Sequence, residues 1–314
     1  ITKSGSNDWH GAAFGYFQNR YLNALDVRQK ETFARERNVP GKEFFFFFDN
    51  NRYGGNFSGP LYLPRFGTGG SPVISGKDRA FFFVQFERFQ NGSAATPLGV
   101  LTPTAAGFST LNSIPGLSAT NLGIFNRFVP VAPAAEDTIT VLGRSIPVGT
   151  ANFAAPSFFN NNNVVANLDF NQSDSTQHRV RFIYNRYREI DNSATLPIFF
   201  TNRPVDGRLF SYTFLHTFSP KVNYELRLAY RRSVDRIVVP DMTFPGLDAF
   251  PNIGLGDLGL DIGPNPVAPQ FGIENNYQLV TNLGWRPGSH SFKFGVDTRR
   301  LISPQSFVQR QRGD

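Results

Sequence analysis

VDGRLFSYTFLHTFSPKVNYELRLAYRRSVDR, residues 205–236, alternates on both sides of Ser219-Pro220. Before the turn, Phe210, Tyr212, Phe214, His216 and Phe218 share one parity, and Leu209, Ser211, Thr213, Leu215 and Thr217 share the other. After it, Val222, Tyr224, Leu226, Leu228 and Tyr230 fall together, while Asn223, Glu225, Arg227 and Arg231 take the opposite parity. Successive side chains of a strand point to opposite faces, so the stretch predicts a β-hairpin with one apolar and one polar face. Each arm is about ten residues or more, longer than the usual strand of about 5–6. A tilted membrane-crossing strand needs about 9–11. The length and the Tyr, Phe and Arg content fit a wall between lipid and a wet interior.

Composition agrees with that reading. The 29 Gly and 22 Pro, with frequent Asn, interrupt every candidate for a long amphipathic helix, and 34 Phe with 10 Tyr fill the runs between them. All-β is the economical fold class. The net charge of +7 raises the question of a nucleic-acid partner. The arginines, however, are spread through strand-like segments (Arg179, Arg181, Arg186, Arg188, Arg227, Arg231, Arg232) and form neither a tail nor a basic helix. They suit a polar barrel interior or solvated rims, and no nucleic acid is expected. The absence of Cys excludes disulfides and thiolate metal sites. No apolar run approaches 18 residues, so no transmembrane helix is predicted. The chain opens on Ile1-Thr2-Lys3 and stops inside Arg310-Gln311-Arg312-Gly313-Asp314, and it reads as a piece of a longer protein.

Taken outward from the hairpin, about nine strands alternate in the same manner. They begin with the small and aromatic stretch at 9–17, then RYGGNFSGPLYL at 52–63 and RAFFFVQFERFQ at 79–90. Further candidates lie at 164–170, 177–188, 277–285 and 291–300, in addition to the two arms already described. The segment 18–50, with its run of Phe44 to Phe48, reads as a long loop. The segment 91–163 reads as a structureless one, of a length that is unusual unless functional. Links after the first, third, fifth and seventh strands run long; those after the fourth, sixth and eighth are short, and the second is intermediate. Alternation of short and long links is the habit of outer-membrane barrels.

Four segments carry a family resemblance: ITKSGSNDWHG at 1–11, RYGGNFSGP at 52–60, KDRAFFF at 77–83 and HSFKFGVD at 290–297. In this order they resemble a TonB-dependent outer-membrane receptor of the Oar-like subgroup, which has a carboxypeptidase-regulatory-like N-terminal domain. The resemblance implies a barrel of about 22 strands closed by a plug. Residues 1–8 would then be the end of the plug and its lead-in, and residues 9–314 the N-terminal part of the barrel. It further implies a location in the bacterial outer membrane and import of a ligand into the periplasm. The partners implied are outer-membrane lipid, the protein's own plug, and an energy-transducing inner-membrane complex reached through a segment ahead of the plug.

Other constellations read as structural. Gly254-Leu255-Gly256-Asp257-Leu258-Gly259 matches GxGxxG by letter, but Pro245, Pro251, Pro264 and Pro266 surround it and no helix can open from it, so it reads as a flexible outer loop. His10, His178, His216 and His290 include no pair at ligand spacing, and His178 and His216 fall on aromatic parities, so no metal is expected. Glu87, Asp169, Glu225 and Asp297 are scattered on inward parities and read as partners of interior arginines. No G-x-S-x-G elbow is present, and neither catalysis nor a cofactor is expected. Trp9, Trp285, Tyr16, Tyr53, Tyr184, Tyr230 and Tyr277 are candidates for an aromatic girdle. Phe199-Phe200-Thr201-Asn202-Arg203 reads as a ligand clamp or as a loop tucked against wall or plug. Arg312-Gly313-Asp314, an adhesion tripeptide by letter, reads as chance.

The expectation is thus an antiparallel transmembrane β-barrel segment of about nine strands, with ligand specificity in the loops at 18–50, 91–163, 195–204 and 239–272. The ligand itself is not encoded in their composition. The competing class is a surface-exposed β-rich binding protein, an adhesin or glycan-binding module, in which one parity buries in a sandwich core.

Overall fold

The computed structural model describes residues 3–19, 22, 48–64, 73–94, 98–153 and 156–313. The Phe44 to Phe47 part of the aromatic run and most of the 18–50 loop lie outside them. In chain order the strands are β1 (His10–Gln18), β2 (Phe48–Pro60), a small hairpin of β3 (Tyr62–Pro64) and β4 (Val73–Ser75), and β5 (Ala80–Ala94). There follow β6 (Leu98–Pro103), β7 (Asp137–Val141), β8 (Arg144–Phe153), β9 (Pro156–Ser173), β10 (Thr176–Asp191), β11 (Thr201–Ser219) and β12 (Val222–Ile237). The last are β13 (Ile253–Leu255), β14 (Leu260–Ile262), β15 (Gln270–Trp285), β16 (Phe292–Ile302) and β17 (Gln305–Ser306).

Nine long strands form one antiparallel meander in the order β1-β2-β5-β9-β10-β11-β12-β15-β16, with β17 added to the far end of β15. These are the nine alternating segments of the sequence. In the central hairpin Phe210 pairs with Tyr230, Tyr212 with Leu228, Phe214 with Leu226 and His216 with Tyr224, so the apolar parities of both arms share a face. A one-residue slip would move every apolar side chain to the other face, and the pattern therefore fixes the register. The sheet is open: β1 and β16 are its edges and do not pair with each other. No second sheet packs across it among the described residues, so there is no sandwich core.

All short turns (174–175, 220–221, 286–291) fall at one end of the meander, and the link 61–79, which carries the β3–β4 hairpin, joins them there. The 61–79 link is thus the one long connection on the turn side, and the links 19–47, 95–155, 192–200 and 238–269 fall at the other end, as an antiparallel meander requires. There the structure corrects the expectation of a structureless 91–163 loop. β5 runs on to Ala94, β9 starts at Pro156, and residues 98–153 fold into a three-stranded sheet, β6-β8-β7, with two helices, Ala105–Asn112 and Ala119–Phe128. Thr104 Oγ1 accepts from Gly107 N at 3.2 Å and Ser118 Oγ from Asn121 N at 3.4 Å, which supplies each helix with an N-cap. Both helices, with 8 and 10 residues, are too short for their sequence to show a long amphipathic period.

Residues 98–153 form a cap at this end of the meander, and it holds the main hydrophobic cluster among the described residues. Val100, Ile114, Val129, Ile146 and Val148 pack with Ala194, Leu196 and Phe199 from the β10–β11 link and with Phe250, Leu258, Leu260 and Ile262 from the β12–β15 link. The large sheet has no comparable core. Phe210, Leu228, Leu279, Trp285 and Phe294 remain 40–56% exposed on its apolar face. A single layer of that kind must bury its face against something other than the described residues.

Candidate functional site

The apolar face is banded. One row across the register runs Phe57, Val84, Ala166, Phe182, Phe210, Tyr230, Tyr277; the next runs Phe82, Leu168, Val180, Tyr212, Leu228, Leu279. Toward the long-loop end the same face turns charged at Arg186, Arg188, Asp206, Arg208, Arg232 and Arg236. The apolar stretch is therefore Phe210 to Phe218 on β11, Val222 to Tyr230 on β12 and Tyr277 to Trp285 on β15. Each is about nine residues or 30 Å, which is the span a tilted strand needs in hydrocarbon. β11 itself has 19 residues, so the strands continue well beyond the band toward the cap.

Aromatic pairs mark both margins. On the cap side the rings of Tyr230 and Tyr277 lie 4.9 Å apart, and the Tyr230 hydroxyl donates to Asn275 Oδ1 at 2.9 Å. On the turn side Trp285 lies 5.7 Å from Phe292, and Trp9 lies 5.2 Å from Phe57 and 5.7 Å from Phe82. His178 and His216 belong to this turn-side margin. His178 Nδ1 is 2.8 Å from the Tyr212 hydroxyl and His216 Nδ1 is 2.8 Å from Thr176 Oγ1, both among phenylalanine rings. Among the predicted girdle residues Tyr16 alone is misplaced: it pairs with Arg52 on the polar face.

The polar face carries the ion pairs expected of its carboxylates. Arg52 meets Glu87 at 3.0 Å, Arg179 meets Asp169 at 4.0 Å, Arg299 meets Asp297 at 3.1 Å, and Arg227 meets Glu225. Nearer the cap, Arg203 grips Asp235 through Nε at 3.1 Å and Nη2 at 2.6 Å. Such half-exposed pairs are each worth about 0–1 kcal/mol, so they orient side chains more than they stabilise the sheet.

Residues 3–8 lie against this polar face. The Lys3 carbonyl accepts from Asn167 Nδ2 at 2.6 Å, and Ser4 Oγ bonds Asp169. Gly5 rests directly on the sheet backbone: a Cβ there would stand 2.4 Å from Phe82 O and 2.9 Å from Gly59 O. Asn7 and Asp78 exchange two bonds, Nδ2 to Oδ1 at 2.5 Å and Asp78 N to Asn7 Oδ1 at 2.7 Å. The lead-in thereby buries Asn167 and Asp169, which keep only 1% and 7% of their surface.

The cap opens an apolar groove of about 840 Å³, lined by Leu122, Phe125, Val141, Phe244, Leu247 and Leu255 among others. Asp257 and Arg312 are the charged residues of its lining. Arg312 is already engaged: Nε donates to Ala268 O at 2.8 Å, Nη1 to Phe250 O at 2.6 Å, and Nη2 to Asn265 O at 2.7 Å and Pro264 O at 3.2 Å. Burial with no carboxylate among these partners lowers its pKa from the ordinary arginine value. The guanidinium thus pins the C-terminal segment to the 250–268 loop, and the Arg312-Gly313-Asp314 tripeptide has its first side chain committed.

Two further readings of the sequence are corrected here. The GxGxxG segment is the β13–β14 hairpin with a 3-10 turn at Gly256–Leu258 and a left-handed Gly259, not a flexible loop, and Leu258, Leu260 and Ile262 anchor it in the cap core. Phe199 is 1% exposed and packs on Phe128 and Phe250 at 5.1 and 5.0 Å, so it is a core residue of the cap and not an exposed ligand clamp. The groove is lined mostly by the 91–163 and 239–272 segments expected to carry ligand specificity, but their folding into a cap was not foreseen. The alternation of Ile139 and Val141 with Ile146 and Val148 across Leu142-Gly143 was the signal for its hairpin. Among the described residues no three His, Asp or Glu side chains converge as a metal site.

A family model described as outer membrane beta barrel domain matches residues 1–314. No curated protein matches the chain. Among solved structures, the chain is similar to the outer membrane transporter YddB from Escherichia coli, with 12% identity and a TM-score of 0.43 over 96% of this chain and 31% of that one. It therefore spans about a third of that transporter's length.

Proposed function

The chain belongs to the outer membrane beta barrel domain family and resides in the outer membrane, and from that premise we propose that it is part of the wall of a plugged import barrel, a TonB-dependent receptor of the Oar-like subgroup. In this reading the apolar band faces lipid and the polar face lines a lumen. Residues 1–8 are the end of the plug, and residues 9–314 are the first strands of a barrel of about 22. The cap and its groove are the outer ligand-capturing surface. The protein does no covalent chemistry; it binds a ligand and passes it to the periplasm, with energy delivered to the plug by an inner-membrane complex.

The observation that carries this reading is the course of residues 3–8. They run along the polar face, bonded to Asn167, Asp169 and Asp78, and so approach the first strand from the lumen side. A simple open channel has no use for a segment arriving there, whereas a plug inside the barrel must leave by that route. Reconstitution of the full-length protein in planar lipid bilayers tests it. The expected result is no steady conductance, with an open pore once everything before Trp9 is deleted. A steady pore from the intact protein overturns the plugged reading in favour of a diffusion channel.

A further inference from the structure

A second site lies in the middle of the polar face, away from the cap. Two register rows cross there: Arg179 on β10, Thr213 on β11 and Arg227 on β12; then Arg181, Ser211 and Ala229, with Gln278 beyond on β15. Adjacent strands are about 4.8 Å apart, so the long arms from β10 and β12 stand some 10 Å apart over a floor of short hydroxyl side chains. The result is a concavity of about 430 Å³.

Its central donors, those of Arg181, Ser211 and Thr213, are unspent. Arg181 has no ion pair or hydrogen bond among the described residues, and its Nε is shielded from solvent without an acceptor. Ser211 and Thr213 have no side-chain hydrogen-bond partner among the described residues either. Glu225 is the single carboxylate in the lining, and it is already held by Arg227 and by Asn282 at 3.0 Å. Arg179 keeps a 4.0 Å contact with Asp169 and donates from Nη2 to Gln177 Oε1 at 3.1 Å, so it is partly engaged. With Glu225 engaged by Arg227 and Asn282, the Arg181 guanidinium and the two hydroxyls line the concavity without an acceptor, which is complementary to a ligand that brings acceptor oxygens and negative charge.

We propose that this cradle is an oxyanion site, taking the phosphate or carboxylate group of a small solute. Arg181 is its principal charge partner, Arg179 and Arg227 flank it, and Ser211 and Thr213 donate from below. The site does not depend on the import reading, since a diffusion channel would hold it equally well.

Calorimetric titration of the full-length protein in detergent tests it, with inorganic phosphate and citrate as separate probes against chloride at equal ionic strength. Saturable binding of one or both is expected, and which of them binds tells phosphate from carboxylate recognition. R181Q should weaken that binding about ten-fold or more, as loss of a charge-assisted bond implies. T213V, which keeps the side-chain shape, should weaken it a few-fold, while R300Q on the opposite face should leave it unchanged. Silence with both probes, or equal binding by R181Q and the parent, overturns the assignment.

Discussion

Leu228 lies between Tyr212 and Leu279 inside the apolar band, one row in from its Tyr230 margin, whereas Arg227, one residue earlier, faces the other way and holds Glu225. Substituting Leu228→Arg should therefore destabilise the protein by about 1–3 kcal/mol in bilayers, between what a charge costs at the midplane and at the margin of a barrel wall. Arg227→Leu should cost little, because its exposed ion pair contributes about 0–1 kcal/mol. Urea unfolding in lipid vesicles measures both, and equal losses would mean that the faces are assigned wrongly. Gly5 offers a second contrast at this scale. A valine there would drive its Cβ into Phe82 O and Gly59 O. Gly5→Val should detach the lead-in and expose the bond after Lys3 to trypsin in the folded protein, with the strand content unchanged by circular dichroism.

The separate elements do not share one source of stability. The nine-strand sheet is held by its ladder and by whatever covers its apolar face, while the cap has its own interior. Phe199 joins the cap segments by packing on Phe128 and Phe250. Phe199→Ala should cost the cap about 3–5 kcal/mol, the usual loss for a buried phenylalanine. Hydrogen exchange should then speed up across residues 98–153 and 250–262 and stay unchanged in β9 to β12. Uniform acceleration in both would instead make cap and sheet one cooperative unit. The two helices fit this picture, since with Thr104 and Ser118 as caps they need only one packed face each.

For the whole molecule the consequence is a solvent map. The chain has no cysteine, so single replacements report cleanly. In outer-membrane vesicles, cysteines at Asn223, Glu225 and Arg227 should react with a water-soluble thiol reagent, while those at Tyr224, Leu226 and Leu228 should not. Reaction at both parities would remove the lipid-facing band, and protection at both would place the strand inside a packed core. The same map should fade above Tyr230, where Arg232 and Arg236 put charge on the banded face and the strands rise out of hydrocarbon.

Side-chain alternation is a local property with a period of two, and short turns such as Ser219-Pro220 leave the register little freedom. The sequence by itself therefore determined the nine strands, their order, which residues share a face, and the alternation of short and long links. It also placed Glu87, Asp169, Glu225 and Asp297 among arginines, although not which arginine each would meet. Only the tertiary structure decided the cap, because its core draws Val148, Leu196, Phe250 and Leu260 from segments that no local pattern connects. It likewise decided that β9 runs back through Asn160 to Asn163 and β11 through Arg203 and Pro204, where both faces are polar and alternation loses its contrast. The seating of residues 3–8 on Asn167 and Asp169 is of the same kind. It spans some 165 residues of chain, and only folding brings donors and acceptors that far apart in sequence within bonding distance.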